Sequence, residues 1–285
     1  MSVGRMALES LGITGTYYSS EVDKYAIKAS EALYPDSVQL GDVTKWREWD
    51  IDWSSIDLVT GGFPCQAWSM AGKQLGDKDE RGMLFWVMLD IMKHVKYHNP
   101  KAHFMIENVK MKKEFEQYIT THTENALGHV HKILINSALV SAQSRNRYYW
   151  TNFEVSQPED RGLLISDLII NDSNLLNVDV AMSRVKGECA KIKAFHKNVR
   201  KINHKHKTLL AGGVRPAASG GCHFKINCNW FQVTPRGAMV LQTIPEHHID
   251  TLLTAGISNT QLYKMTGNAW TMEVIKHILK GVTKC

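Results

Sequence analysis

The feature that most restricts the fold of this chain is an alternation of strand-like and helix-like segments over its first 150 residues. Short apolar runs at Thr16–Ser20, Ser37–Leu40, Ile56–Thr60, His103–Ile106, His131–Asn136 and Arg147–Asn152 read as strands. Between them, Tyr25–Leu33, Met83–Tyr97 and Lys112–Thr121 carry apolar residues at helical spacing. Alternation of this kind predicts an α/β, doubly wound, mostly parallel sheet with helices on both faces. In such sheets ligands bind beyond the carboxyl ends of the strands. Glu21, Asp42, Cys65 and Glu107 each fall at or just past such an end, so the topology gathers them on one edge.

The third strand runs into Gly61-Gly62-Phe63-Pro64-Cys65-Gln66. Two glycines and a Pro-Cys pair after a strand place a thiol on a loop at the ligand edge. A lone cysteine is most often a small buried hydrophobe, and a strand-end acid is often a helix cap. Here, however, Glu107-Asn108-Val109 ends another strand, and Gln143-Ser144-Arg145-Asn146-Arg147 follows. Taken together, the runs offer a nucleophile, an acid and two cations.

These runs, in this order, resemble the DNA cytosine-5 methyltransferase family, whose members carry Pro-Cys-Gln, Glu-Asn-Val and Gln-x-Arg-x-Arg. Gly61 to Phe85 is similar to the family's catalytic strand, closing loop and following helix, and Gln261 to Ala269 to its last motif. The resemblance implies an S-adenosylmethionine-dependent, Rossmann-like enzyme that methylates C5 of cytosine in double-stranded DNA. It implies Cys65 as nucleophile toward C6, Glu107 at N3, and Arg147 with Arg145 as the positive field beside the base. Cytosine C5 is a poor nucleophile until a thiolate adds at C6. The thiol cannot reach a stacked base, so extrusion of the cytosine is expected. For the cofactor the resemblance implies Glu21 at the ribose, Asp42 at the adenine amine, and Gly62, Pro64, Asn268 and Ala269 around the remainder.

DNA contacts are expected from the loop, at Gln66, Ser69, Lys73 and Arg81. Further contacts are expected from the basic run Lys191–Lys207, at Lys191, Lys193, Lys197, Arg200 and Lys201, and from Arg236. Such cations bind phosphate with little sequence information. The expected organisation is a catalytic and cofactor domain over 1–152, a small target-recognition region over 153–231, and a C-terminal segment, 232–285, packing back on the first.

Three departures from the family pattern stand out. The family opens with a strand and a Phe-x-Gly-x-Gly-Gly turn, whereas Ser2–Leu8 resembles only the end of that turn and its helix, so the first strand is expected to be missing. Either the true start lies upstream of Met1, which the intact catalytic residues favour, or a partner chain supplies the strand, or the chain is a catalytically impaired DNA-binding homologue. Thr234-Pro235-Arg236-Gly237 has glycine where the family has an acid. Trp270 replaces a smaller residue, as in the branch resembling animal de novo methyltransferases. A tRNA cytosine-5 methyltransferase is the other alternative, although its Cys-Phe-Thr run is absent from this sequence.

Composition is compatible with these expectations. The net charge of +6 permits nucleic-acid binding. Five cysteines without a small-domain disulfide pattern suggest a reducing, cytoplasmic setting in a bacterial or phage-infected cell. No apolar run approaches a membrane span of about 20 residues, and MSVGRMALES does not read as a secretory leader. Cys222-His223 with Cys228 lacks paired zinc spacing, so no metal is expected. A restriction endonuclease is a possible cellular partner.

Overall fold

The computed structural model describes residues 1–64, 82–169, 174–177, 204–206, 208–209, 223–226 and 229–282. The chain begins with α1 (Val3–Glu9), β1 (Tyr18–Ser19), α2 (Lys24–Leu33) and β2 (Val38–Gln39). It continues through β3 (Leu58–Gly62), α3 (Leu84–His98), β4 (His103–Val109), α4 (Lys113–Leu127), β5 (His131–Asn136) and β6 (Asn146–Thr151). Then come α5 (Ile165–Ile169), β7 (Leu175–Asn177), β8 (His223–Ile226) and β9 (Asn229–Val233). Four helices close the described chain: α6 (Pro235–Leu241), α7 (Glu246–Thr254), α8 (Asn259–Asn268) and α9 (Met272–Leu279).

The central sheet has the order β3-β4-β6-β5. β3 and β4 are parallel, and β6 runs antiparallel to both β4 and β5. The sheet is therefore mixed. Its antiparallel member follows from the connection Ser137–Arg145, which is shorter than the dozen or so residues a parallel crossover takes. Asn136 fixes that connection, its Oδ1 accepting from the N–H groups of Ala138 and Arg145.

β1 and β2 form a separate parallel pair, and β3 is hydrogen-bonded to β4 alone among the described strands. α1 lies against both parts: a Cβ on Gly4 would meet the Tyr17 hydroxyl, the Trp270 ring and the Thr60 hydroxyl, the nearest at 3.2 Å.

Period-two alternation places helices on both faces. On one face, Phe104 and Ile106 of β4 and Trp150 of β6 pack with Phe85, Leu89 and Met92 of α3 and Ile119 of α4. On the other, Met105 and Tyr149 pack with Met6 of α1 and Val274, Ile275 and Ile278 of α9. The last described helix, α9, thus packs with the first, α1. A second sheet, β7-β9-β8, is antiparallel throughout. Leu209 and Val233 join Ala238 and Leu241 of α6 in a small core beneath it.

Candidate active site

β4 carries the acid and the brace of the site. Glu107 lies within the strand, in register with Gly62 of β3 on one side and Tyr149 of β6 on the other. Arg147 stands opposite Val109, one diagonal step from Glu107 on the same face. Its Nε donates to Glu107 Oε1 at 2.9 Å, with both side chains only 12–13% exposed. Arg147 also donates to the Asn146 carbonyl. The low exposure makes this a desolvated pair, in which each charge depends on the other. Burial, followed by the Glu107 charge, pushes the Tyr149 hydroxyl well above its ordinary value. Tyr149 is therefore a neutral neighbour.

Gly62 permits the close approach of β3. A Cβ there would stand 3.0 Å from the Glu107 carbonyl oxygen and 3.1 Å from its Oε2. Asn108, which is buried, faces the other way. Its Nδ2 donates to the Phe63 carbonyl at 3.1 Å, while its Oδ1 accepts from the Val109 N–H. One strand thus presents Glu107 and holds the backbone two residues before Cys65. Cys65, Gln66, Ser69, Lys73 and Arg81 lie outside the described residues, as do Lys191, Lys193, Lys197, Arg200 and Lys201.

The first two cofactor candidates follow the strands of the parallel pair β1–β2. Glu21 follows β1, and its Oε1 accepts from the N–H groups of Val22 and Asp23. Asp42 follows β2, and its Oδ1 accepts from the N–H and hydroxyl of Thr44. Those bonds, the backbone one first, hold the Asp42 carboxyl below its ordinary value. Among the described residues the second oxygen of each carboxylate has no hydrogen-bond partner. Two fixed carboxylates, each with an open oxygen, suit the hydroxyl and amine donors of a nucleoside. Asn268 ends α8 exposed, and Ala269 follows as its C-cap.

Two residues depart from their expected places. Arg145 is 4% exposed, and its guanidinium is directed at the carbonyls of Leu209, Gly267 and Ala269. The i, i+2 spacing therefore does not bring it to Glu107 with Arg147. Arg236 forks over the carboxylates of Glu246 and Asp250. Two acids thus stand beside the cation expected at phosphate. Its neighbour Gly237 is buried in the first turn of α6, and its N–H is capped by the Thr234 hydroxyl.

Sequence reasoning passed over Lys264, whose Nζ donates to Asp23 at 2.6 Å. Asp23 also caps α2 through the N–H groups of Tyr25 and Ala26. The Asp-x-Tyr spacing after Glu21 signalled the cap; no local signal pointed to the distant lysine.

Residues 3–213 match the family model of C-5 cytosine-specific DNA methylases. The chain belongs to that family. It is 31% identical to the type II methyltransferase M1.ScrFI of Lactococcus lactis subsp. cremoris, over 92% of this chain and 70% of that one. It is 28% identical to M.HhaI of Haemophilus parahaemolyticus, over 98% and 90% of the two chains. Among solved structures, the Entamoeba histolytica methyltransferase EhMeth superposes with a TM-score of 0.70 at 16% identity, covering 99% of this chain and 94% of that one. A Spodoptera frugiperda DNMT2 variant gives 0.69 at 17% identity, covering 99% and 96%. The chain is thus an enzyme of the DNA cytosine-5 methyltransferase class, which uses S-adenosylmethionine. Among the described residues no helix is long and apolar enough to cross a membrane, and no group of three or more metal-ligating side chains converges.

Proposed function

We propose that this methyltransferase acts on cytosine in double-stranded DNA through a covalent bond from Cys65 to C6 of an extruded base. The observation that carries the reading is the desolvated Glu107–Arg147 pair, packed against Gly62 on the strand that leads to Cys65. In this reading the Cys65 thiolate adds to C6, the ring electrons move toward N3, and N3 takes up a proton that is then shared with the Glu107 carboxylate. Arg147 keeps Glu107 oriented and offsets charge as it develops. When bound, S-adenosylmethionine would supply an electrophilic methyl group, which C5 would take as the sulfur–methyl bond breaks and S-adenosylhomocysteine is left. Loss of the C5 proton to a base then expels the Cys65 thiolate and restores the aromatic ring. Glu21 and Asp42 would hold the ribose and adenine, with Gly62, Pro64, Asn268 and Ala269 around the methionine part. Lys191, Lys193, Lys197, Arg200 and Lys201, with Gln66, Ser69, Lys73 and Arg81, would meet DNA.

The type II names of the relatives support a role in modifying DNA in a bacterial or phage-infected cytoplasm, beside a restriction endonuclease. The organisation supporting this function is a catalytic domain (1–152), a recognition region (153–231) and a returning C-terminal segment (232–285).

The test is trapping with 5-fluorocytosine duplex DNA and S-adenosylmethionine, comparing this chain with Cys65→Ala. Fluorine at C5 cannot leave as a cation, so an active enzyme stays attached. A denaturant-resistant adduct that needs both Cys65 and the cofactor is expected. No adduct, with cofactor binding absent by calorimetry, would instead favour an impaired DNA-binding homologue. Methyl transfer to tRNA and not to DNA would overturn the substrate assignment.

A further inference from the structure

An ion pair between residues 241 positions apart holds the turn that carries Glu21. Three atoms of Asp23 have separate tasks there. Its N–H donates to Glu21 Oε1 at 2.9 Å, beside the Val22 N–H at 2.8 Å. Its Oδ1 accepts from the N–H groups of Tyr25 at 2.9 Å and Ala26 at 3.4 Å, which caps α2. Its Oδ2 accepts from Lys264 Nζ at 2.6 Å. Just before Glu21 in the chain, the Ser20 hydroxyl donates to the Gly41 carbonyl at 2.7 Å, next to Asp42. The turn is thus fastened ahead of Glu21 to the loop that carries Asp42, and after it to α8.

α8 is also the helix that ends at Asn268 and leads to Ala269. Lys264 and Asn268 stand at i and i+4, so they share one face of it. The bond to Asp23, then the Asp23 charge, with a smaller pull from Glu21, hold the Lys264 ammonium above its ordinary value. The lysine side chain is 45% exposed and that of Asp23 29%. A pair this exposed is screened by solvent and adds little to global stability. Its effect is local, because the backbone it fixes supplies an N–H to Glu21.

We propose that Lys264 is a positioning residue for the cofactor, holding the Glu21 carboxylate through Asp23 so that its open oxygen is already set for the ribose hydroxyls, a reading that rests on the proposed role of Glu21 at the ribose. A turn that is ordered before binding has no ordering cost to meet during it, which raises affinity without a contact to the ligand. The field of the lysine acts the other way on a cationic ligand: loss of a positive charge would tighten S-adenosylmethionine, with its sulfonium, whereas loss of position weakens it. S-adenosylhomocysteine has no sulfonium charge and so reports position.

The experiment is calorimetric titration of S-adenosylhomocysteine into the full chain, in a double-mutant cycle of Lys264→Met and Glu21→Ala. Lys264→Met alone should weaken binding about fivefold, the upper end for a screened ion pair. Lys264→Arg, which keeps the charge and can reach Asp23, should restore binding to within about twofold of wild type. In the Glu21→Ala background, Lys264→Met should change binding by less than about twofold. A merely structural role gives the same loss in both backgrounds, and that result overturns the proposal, as does unchanged binding by Lys264→Met alone. Glu21→Ala that binds as wild type does overturns the ribose assignment and the positioning with it. Wild type that does not bind S-adenosylhomocysteine overturns both the cofactor reading and the proposal. Should Lys264→Met fail to fold, Asp23→Asn takes its place, since asparagine keeps the cap and loses the charge. Should Glu21→Ala bind too weakly to titrate, hydrogen exchange on the unliganded chain decides. Lys264→Met must then speed exchange of the Val22 and Asp23 amides, and unchanged exchange there overturns the proposal.

Discussion

Replacing Gly62 with alanine tests whether strand contact sets the position of Glu107. The new Cβ would lie 3.0 Å from the Glu107 carbonyl oxygen and 3.1 Å from Oε2, whereas ordinary contact begins at 3.4 Å. The first neighbour is backbone, held in the β3–β4 ladder by the register Gly62↔Glu107, so it cannot swing away. Relief requires β3 or the Glu107 side chain to move by about 0.4 Å, and overpacking of this kind costs about 1–3 kcal/mol. Misplacement by about 1 Å costs on the order of 10²-fold in rate, so about 0.4 Å should lower kcat on the order of tenfold. Gly61→Ala is the matched control. Its Cβ would meet only the flexible Met88 side chain at 3.4 Å, so stability should stay within about 0.5 kcal/mol. The assays are tritium transfer from labelled S-adenosylmethionine to DNA and urea unfolding. If Gly62→Ala keeps kcat within about twofold of wild type, and its unfolding midpoint too, the proposed crowding at Glu107 is refuted.

Other expectations concern the charges around the site. Arg147→Met strands Glu107 in a 12% exposed position, so stability should fall by about 3–5 kcal/mol, the usual cost of breaking a buried pair, with kcat falling as well. An unchanged unfolding midpoint would remove the pair from the account of the site. Asp23→Ala removes a cap worth about 1 kcal/mol. The Lys264 hydrogen bond, followed by the cap bonds, lowers the Asp23 carboxyl from its ordinary value. That contribution is present above the unfolded value of about 4 and is lost as pH falls through the lower folded value. Wild type and variant should therefore converge in acid, and curves that stay parallel down to about pH 3 would contradict this. Burial, then His247, lower His248 against the pull of Glu9, while its Nε2 lies 2.9 Å from the Tyr34 hydroxyl. The unfolded chain thus takes up a proton that the folded one resists, and stability should fall as pH drops below about 6.5. His248→Gln should flatten that slope in urea melts between about pH 7.5 and 5.5; equal slopes would exclude the mechanism.

The parts of the site legible in the sequence are those written locally. Short apolar runs marked β3 and β4, and the glycines and Glu-Asn-Val marked where those strands end. Asn108, inside that run, needed only the adjacent strand for its bond to Phe63. Arg145 was read from its spacing to Arg147, but its acceptors lie at Leu209, Gly267 and Ala269, which only the folded chain brings together. Arg236 shows the same limit: a cation in sequence reveals nothing of Glu246 and Asp250 one helix later. Strand direction was equally hidden, because alternation reports burial and not polarity. The brevity of Ser137–Arg145 was the available clue that β6 turns back.

The packing of α1 on α9 has a consequence for synthesis. Met6 and Ala7 share a core with Val274, Ile275 and Ile278 of α9, the last helix of the described chain. At roughly 5–20 residues per second, the first helix leaves the ribosome on the order of tens of seconds before its partner. Until then its apolar face, and the sheet face it shares, lack the part of their cover that α9 supplies. Folding must therefore finish late and from both ends at once, with the nascent chain open to chaperones, or to association with its own copies, throughout that interval.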